Sequence, residues 1–188
     1  MRTLKVWVGP IAGLVVVAAL VFLLKGGPKP ATPAPTLSAT AFVMSVDPTT
    51  VTQINIASGG KTLTLLAKAG ATNAWTIDSA TGKAADPTKV QNMLSLLDPL
   101  QASRDLGTVT SPKDYGLATP TTILKVTLKS GTVDSLDVGA QTPVGGYYAS
   151  TASGGKVFII DNSVEQALVT DPAQWVPVAT STATSTGG

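Results

Sequence analysis

VTQINIASGGKTLTL, residues 51–65, is the stretch whose reading decides the fold. Val51, Ile54 and Ile56 stand among polar neighbours, Ser58-Gly59-Gly60 breaks the run, and Leu63 and Leu65 restore an apolar/polar alternation after it. Period-two patterning on both sides of a glycine pair predicts a β-hairpin with one apolar face. The same grammar recurs at residues 123–128, Ser130-Gly131 and 133–138. It recurs again at Tyr147-Tyr148, Ser153-Gly154-Gly155 and 157–160. Three hairpins with a Ser-Gly turn fit either a repeated β unit or the common turn chemistry of antiparallel sheets.

A helix interrupts these strands. Asp86-Pro87 combines an N-cap side chain with a proline at the first helical position, where no amide donor is needed. Val90, Met93, Leu94, Leu97 and Leu100 follow at spacings of three and four, giving one apolar stripe to pack on the sheet. A shorter helix is expected from Ser163, where Ser163-Val164-Glu165-Gln166 reads as a capping box, with Asp171-Pro172 ending it. The fold class expected is α+β. It comprises an N-terminal transmembrane helix, then a mostly antiparallel β domain of repeated hairpins with one main packed helix and a short C-terminal helix.

Outward from this domain the chain changes character. Residues 4–24 (LKVWVGPIAGLVVVAALVFLL) carry one charge, Lys5, and as a helix would rise about 31 Å, close to the hydrocarbon thickness of a bilayer. Residues 1–25 are therefore expected to be a membrane anchor. Trp7 sits at headgroup level, Pro10 lies in the first turns, and Leu14, Val17, Leu20, Phe22 and Leu24 face membrane lipid. The rival reading is a cleaved secretory signal with Arg2 and Lys5 as its n-region. Against it, Val21-Phe22-Leu23-Leu24 offer no small-x-small cleavage site. Without cysteine, a thioether lipid anchor is excluded. Residues 26–40 contain four prolines and no apolar period, the composition of an extended spacer. Residues 41–178 form the folded domain, and 179–188 (ATSTATSTGG) a low-complexity tail. Arg2 and Lys5 face Lys25 and Lys29 across the span, so the charge bias is thin. The position of the anchor ahead of a translocated-looking domain places the N-terminus in the cytoplasm. The domain then lies in the periplasm or outside the cell.

Of the thirteen basic residues four flank the anchor, and the remaining nine face eleven acidic ones, a net charge of −2. A nucleic-acid partner, which needs a clustered basic face, is not expected. The absence of histidine removes the commonest general base and zinc ligand together.

With strands and helix laid out, the order of motifs resembles an uncharacterised bacterial family, domain of unknown function 4340, over residues 46–169. The matching pieces begin with Asp47-Pro48 before residues 51–56, the Gly-Gly-Lys-Thr-Leu hairpin at 59–63, Trp75, and Ala85-Asp86 opening the helix. They continue with Tyr115-Gly116-Leu117 and Pro120, Val138-Gly139, residues 142–148 (TPVGGYY), and 157–160 (VFII). The resemblance implies one N-terminal transmembrane helix, an extracytoplasmic domain, and for some members partnership with transport or gliding-type membrane machinery. It implies no catalytic residues. This chain departs from the family pattern in being short, with one copy of the unit and a Thr/Ser tail.

Each candidate site also has a structural reading. Gly60-Lys61-Thr62 has the end of a phosphate-binding loop, but Asn55 stands where that motif needs glycine, and a hairpin replaces the strand-to-helix turn. Asp134 and Asp137, three apart on a strand, face opposite sides of the sheet and read as solvated. Asp161, Glu165 and Asp171 lack the spacing of a calcium loop and suit helix capping. Tyr115-Gly116-Leu117 reads as a tight turn, with a positive φ at Gly116 and two core-plugging side chains. Tyr147 and Tyr148 point to opposite faces. The outward one, with Trp175, is the candidate partner contact, because exposed aromatics anchor interfaces efficiently.

The expected function is a non-enzymatic, single-pass accessory or structural subunit of a larger membrane complex (transport, respiratory or photosynthetic), with other subunits and membrane lipid as partners and no cofactor, metal or catalytic residue. The alternative is a free-standing envelope ligand-binding or sensor domain, which predicts a concave apolar pocket holding a few convergent polar groups.

Overall fold

The computed structural model describes residues 41–78, 82–152 and 155–178. The expected anchor (with Trp7, Pro10, Leu14, Val17, Leu20, Phe22 and Leu24), the spacer and the tail lie outside the described residues, as do Ser153 and Gly154 of the third turn. Among the described residues no helix is long and apolar enough to cross a membrane.

The founding hairpin forms as its pattern dictates. Strand β2 (Val51–Ser58) pairs antiparallel with β3 (Lys61–Ala67), Ser58 lying opposite Lys61. Gly59 and Gly60 close the loop at φ of 57° and 76°. Two successive positive φ angles give the turn whose twist matches the flanking strands, which is why glycine stands at both positions. The chain continues as a meander through β4 (Trp75–Ile77) and β5 (Lys83–Ala85), and one residue later enters helix α1 (Pro87–Leu97). Asp86 caps α1 by accepting from the amides of Thr88 at 2.9 Å and Lys89 at 3.4 Å.

A second meander repeats the plan. It runs β8 (Thr122–Leu128), β9 (Val133–Gln141), β10 (Tyr147–Thr151), β11 (Lys156–Ile160), then helix α2 (Asn162–Ala167) capped by Asp161. The two first strands, β2 and β8, pair antiparallel at the centre, with Asn55 opposite Lys125. The sheet order is therefore β5-β4-β3-β2-β8-β9-β10-β11, in which the meander positions read 4-3-2-1-1-2-3-4, and a ninth strand, β7 (Arg104–Thr108), lies outside β11. This is the topology of an internal duplication with two-fold character. The expectation of one copy of a unit is corrected accordingly: the repeating unit is four strands and a helix, and the described chain holds two.

Between the units, β1 (Ala41–Met44) pairs with β6 (Leu100–Ala102) in a two-stranded ribbon, and β7 (Arg104–Thr108) joins the far edge of the large sheet beside β11. Residues directly opposite share a face, and on one face Leu63, Leu65, Ile54, Ile56, Leu124, Val126, Leu136 and Val138 are all fully buried. Helix α1 contributes Val90, Met93, Leu94 and Leu97 to the same core. At about 25 cal/mol per Å² of apolar area removed from water, this layer is the dominant stabilising term.

Two element boundaries differ from expectation. Helix α1 stops at Leu97 because Pro99 supplies no amide to continue it, and Leu100 reaches the core from a strand instead. Helix α2 begins at Asn162 with Asp161, not Ser163, as its cap, since the Asp161 carboxylate accepts from the Ser163 amide at 2.8 Å. It ends well before Asp171, which caps a separate 3-10 turn, Pro172–Trp175.

The opposite face of the sheet is half covered. From the β7 edge, residues 109–121 return across β10 and β9. Tyr115 meets Tyr148 there in a T-shaped pair with ring centroids 4.9 Å apart. Gly116 adopts φ of 72° as expected. Tyr115 and Leu117 thus seal this second face and do not enter the main core. The rest of the face carries ladder rows such as Thr62, Ala57, Ile123 and Asp137, or Thr64, Asn55, Lys125 and Ser135, whose side chains are half-buried or exposed among the described residues.

Candidate functional site

A concavity of about 960 Å³ lies at one end of the sheet, where three chain reversals meet α1. The first reversal is the β1–β2 turn. Asp47 accepts from the Thr49 amide at 2.8 Å and the Thr49 hydroxyl at 2.7 Å, and its carbonyl receives the Thr50 amide at 3.0 Å. These bonds hold the Asp47 carboxyl below its usual value: the Thr49 hydroxyl contributes most, then the Thr49 amide, then the charge of Lys129, with burial opposing. The second reversal is the β3–β4 loop. It is closed by the Lys68 amide donating to Ala74 at 2.8 Å and turned by Gly70 and Asn73, at φ of 74° and 52°. Asparagine tolerates that region better than other side chains, which places Asn73 there. The third is the β8–β9 turn, tied to the first by the Lys129 amide donating to the Thr50 carbonyl at 2.7 Å.

The cavity floor is apolar, formed by buried Val51, Trp75 and Leu94. Its walls carry Thr49, Thr52, Thr72, Asn73 and Gln91, and two charged residues, Lys68 and Lys129. Both lysines are exposed, and no carboxylate lines the space. Among the described residues the ion pair present is Lys156–Asp105, at 3.6 Å, at the β11–β7 edge of the sheet. A smaller cleft of about 230 Å³ separates α1 from the C-terminal segment, lined by Met93, Leu96, Ala167 and Trp175.

The residues singled out from sequence fall as follows. Tyr147 packs on the core side, opposite Ile160, and Tyr148 on the second face against Tyr115, so the expected split of the pair is seen. Both are half-buried, and Tyr148 is already partnered within the chain. Trp175 is 4% exposed, and its indole N–H donates to the Val169 carbonyl at 3.0 Å. The exposed aromatic expected there is instead a wedge, because the 3-10 turn folds back on α1. The Trp175 carbonyl accepts from the Asp86 amide at 2.6 Å, and the Gln174 carbonyl from the Lys89 ammonium. Lys61 and Thr62 open β3, and no helix follows them. Asp134 and Asp137 lie on opposite faces of β9. Burial raises the Asp137 carboxyl, with the Lys125 charge opposing. Asp161 and Asp171 cap different helical turns, and among the described residues no cluster of three or more His, Cys, Asp or Glu is arranged for a metal.

Lys68, Lys129 and Asn73 were not singled out from sequence. A lone lysine in a turn carries no local signal, and residues 49, 68, 91 and 129 converge only through long-range strand pairing.

Fold and site together define an α+β domain of two meander-helix units with an apolar-floored cavity. The chain belongs to the family described as Domain of unknown function (DUF4340), whose model matches residues 20–120 and 75–179. The first segment contains the whole of the first unit and the second segment the whole of the second. No curated protein and no solved structure matches the chain.

Proposed function

We propose that the chain is a membrane-tethered, non-enzymatic accessory subunit whose extracytoplasmic domain docks on a larger membrane complex through the uncovered part of its sheet. The observation that carries this reading is the open face. Its ladder rows of threonine, serine, asparagine and short apolar side chains are mostly uncharged and, among the described residues, half-buried or exposed from β3 to β8. The apolar run at residues 4–24 and the proline-rich residues 26–40 support a tether. Confinement raises the effective concentration at the partner, so a surface of moderate affinity suffices. Transport, respiratory and photosynthetic complexes are the candidate hosts.

The test is to solubilise native membranes in mild detergent and purify the tagged chain. A stoichiometric partner is expected that is lost when exposed Thr62 and Lys125 are replaced (T62R, K125E) and kept when exposed Ser95 on α1 is replaced. A lone monomer contradicts the reading. A second reading, an envelope ligand binder, is favoured by the 960 Å³ cavity, whose volume lies at the upper end of the range for small-molecule sites, ~300–1,000 Å³.

A further inference from the structure

We propose that this cavity binds a small amphiphilic anion, its carboxylate or phosphate group held by Lys68 and Lys129 and its apolar body on the Val51, Trp75 and Leu94 floor. The inference rests on the ligand-binding reading and names its ligand class.

Charge carries the argument. Beyond the anchor the chain has an acidic excess of two, yet both charged residues lining this cavity are cationic. Neither ammonium is in an ion pair among the described residues. The nearest competitor is Asp47, in the turn that forms the rim. The Lys129 charge acts on it, but its Oδ1 accepts from the Thr49 amide and hydroxyl, it forms no ion pair with Lys129 among the described residues, and it does not line the space. The Lys129 amide ties its turn to the Thr50 carbonyl and the Lys68 amide closes its own loop on the Ala74 carbonyl, so each lysine backbone is held locally beside the floor. Such pre-organisation lowers the ordering cost of binding. The floor sets the other half of the ligand: Val51, Trp75 and Leu94 are each at most 5% exposed yet border the space, so an inorganic anion would leave that surface unmatched. The threonine and amide groups of the walls suit hydrogen bonding to ester or hydroxyl oxygens.

The source of such an anion is either a lipid headgroup at the membrane surface or a soluble organic acid. The probe is hexyl phosphate, titrated calorimetrically into the full chain held in nanodiscs of zwitterionic phosphatidylcholine, with empty discs as blank. Hexanol and inorganic phosphate are the half-ligand controls. Hexyl phosphate is expected to bind saturably and at least about tenfold more tightly than either control, and to weaken as salt rises. The K68Q and K129Q variants are each expected to lose about tenfold, a change of about 1.4 kcal/mol. Both side chains are exposed, so these variants keep the fold. Ala71→Trp, which fills the lining with an indole, is expected to abolish binding independently of charge. Adding phosphatidylglycerol to the discs distinguishes the sources: competition with hexyl phosphate supports a lipid headgroup, and no competition a soluble anion. If hexanol binds as well as hexyl phosphate, or the lysine variants bind unchanged, the anion assignment is overturned while a ligand pocket stands. If no probe binds, the ligand-binding reading falls with it.

Discussion

Replacing Gly139 by alanine tests how closely the 109–121 segment is fitted to the sheet. A Cβ at Gly139 would stand 2.3 Å from the Tyr115 carbonyl oxygen and 3.1 Å from both the Gly116 carbonyl carbon and Leu117 Cδ2. The first contact is backbone and has no rotamer to escape into, so the turn must retreat by about 1 Å to restore ordinary separations. That retreat separates the Tyr115–Tyr148 pair, worth about 0.5–1.5 kcal/mol beyond its area. It also loosens the Leu117 contact, and insertions into tight packing cost a further ~1–3 kcal/mol. Against this, alanine in a strand gains about 0.5–1 kcal/mol over glycine from the unfolded chain. The net is a destabilisation of about 2 kcal/mol, or roughly 6–10 °C in Tm for a domain of this size. Thermal melts of the full chain followed by tryptophan fluorescence measure it. Gly70→Ala is the control: it has positive φ but open space around the added carbon, so it carries backbone strain alone, about 1 kcal/mol. If Gly139→Ala melts within 1 °C of the parent, the turn does not rest on β9 as described.

Three further outcomes follow from the same geometry. Trp175→Ala removes a buried ring and its hydrogen bond to Val169 and should cost about 3–5 kcal/mol in urea unfolding, whereas an interface-only role predicts under about 0.5 kcal/mol. Asp47 has a folded-state carboxyl value below the unfolded one, so its contribution is present above the unfolded value and lost as pH falls through the folded value. Asp47→Ala should therefore be less stable than the parent at pH 7 and equal to it once the pH is below the folded value. Asp137 is shifted upward, so its ionised form opposes folding above the folded value, and Asp137→Asn should match or exceed the parent's stability at pH 7 with the advantage vanishing in acid. A stability loss for Asp137→Asn at pH 7 would show that the Lys125 attraction outweighs the burial cost.

The hairpins were legible because their turns need glycine and their strands need one dry face, both of which are local. Helix α1 was legible for the same reason: Asp86, Pro87 and the Val90–Leu97 stripe each act within a few residues. Strand order was not. The central β2–β8 pair joins Asn55 to Lys125, and the excursion of β7 to the far edge depends on what remains unpaired after both meanders close. No periodicity encodes either. Leu100 was read into the helix stripe because its spacing fits one, and only Pro99 moves it into a strand. A four-residue 3-10 turn gives no apolar pattern to mark Trp175 as buried, and its burial goes with bonds that Asp86 and Lys89, far away in sequence, make to the Trp175 and Gln174 carbonyls. The cavity was illegible for a related cause, being assembled from reversals whose lysines are separately unremarkable.

The central claim is that the uncovered sheet face meets a partner while the chain is tethered. Its most direct test places a photo-crosslinking amino acid at Thr62 or Lys125 on that face, and at Ser95 on α1, in the chain expressed in its native membranes. A single discrete adduct from Thr62 and Lys125, with none from Ser95, is the predicted result. No adduct from the sheet face, or equal adducts from all three positions, contradicts the account.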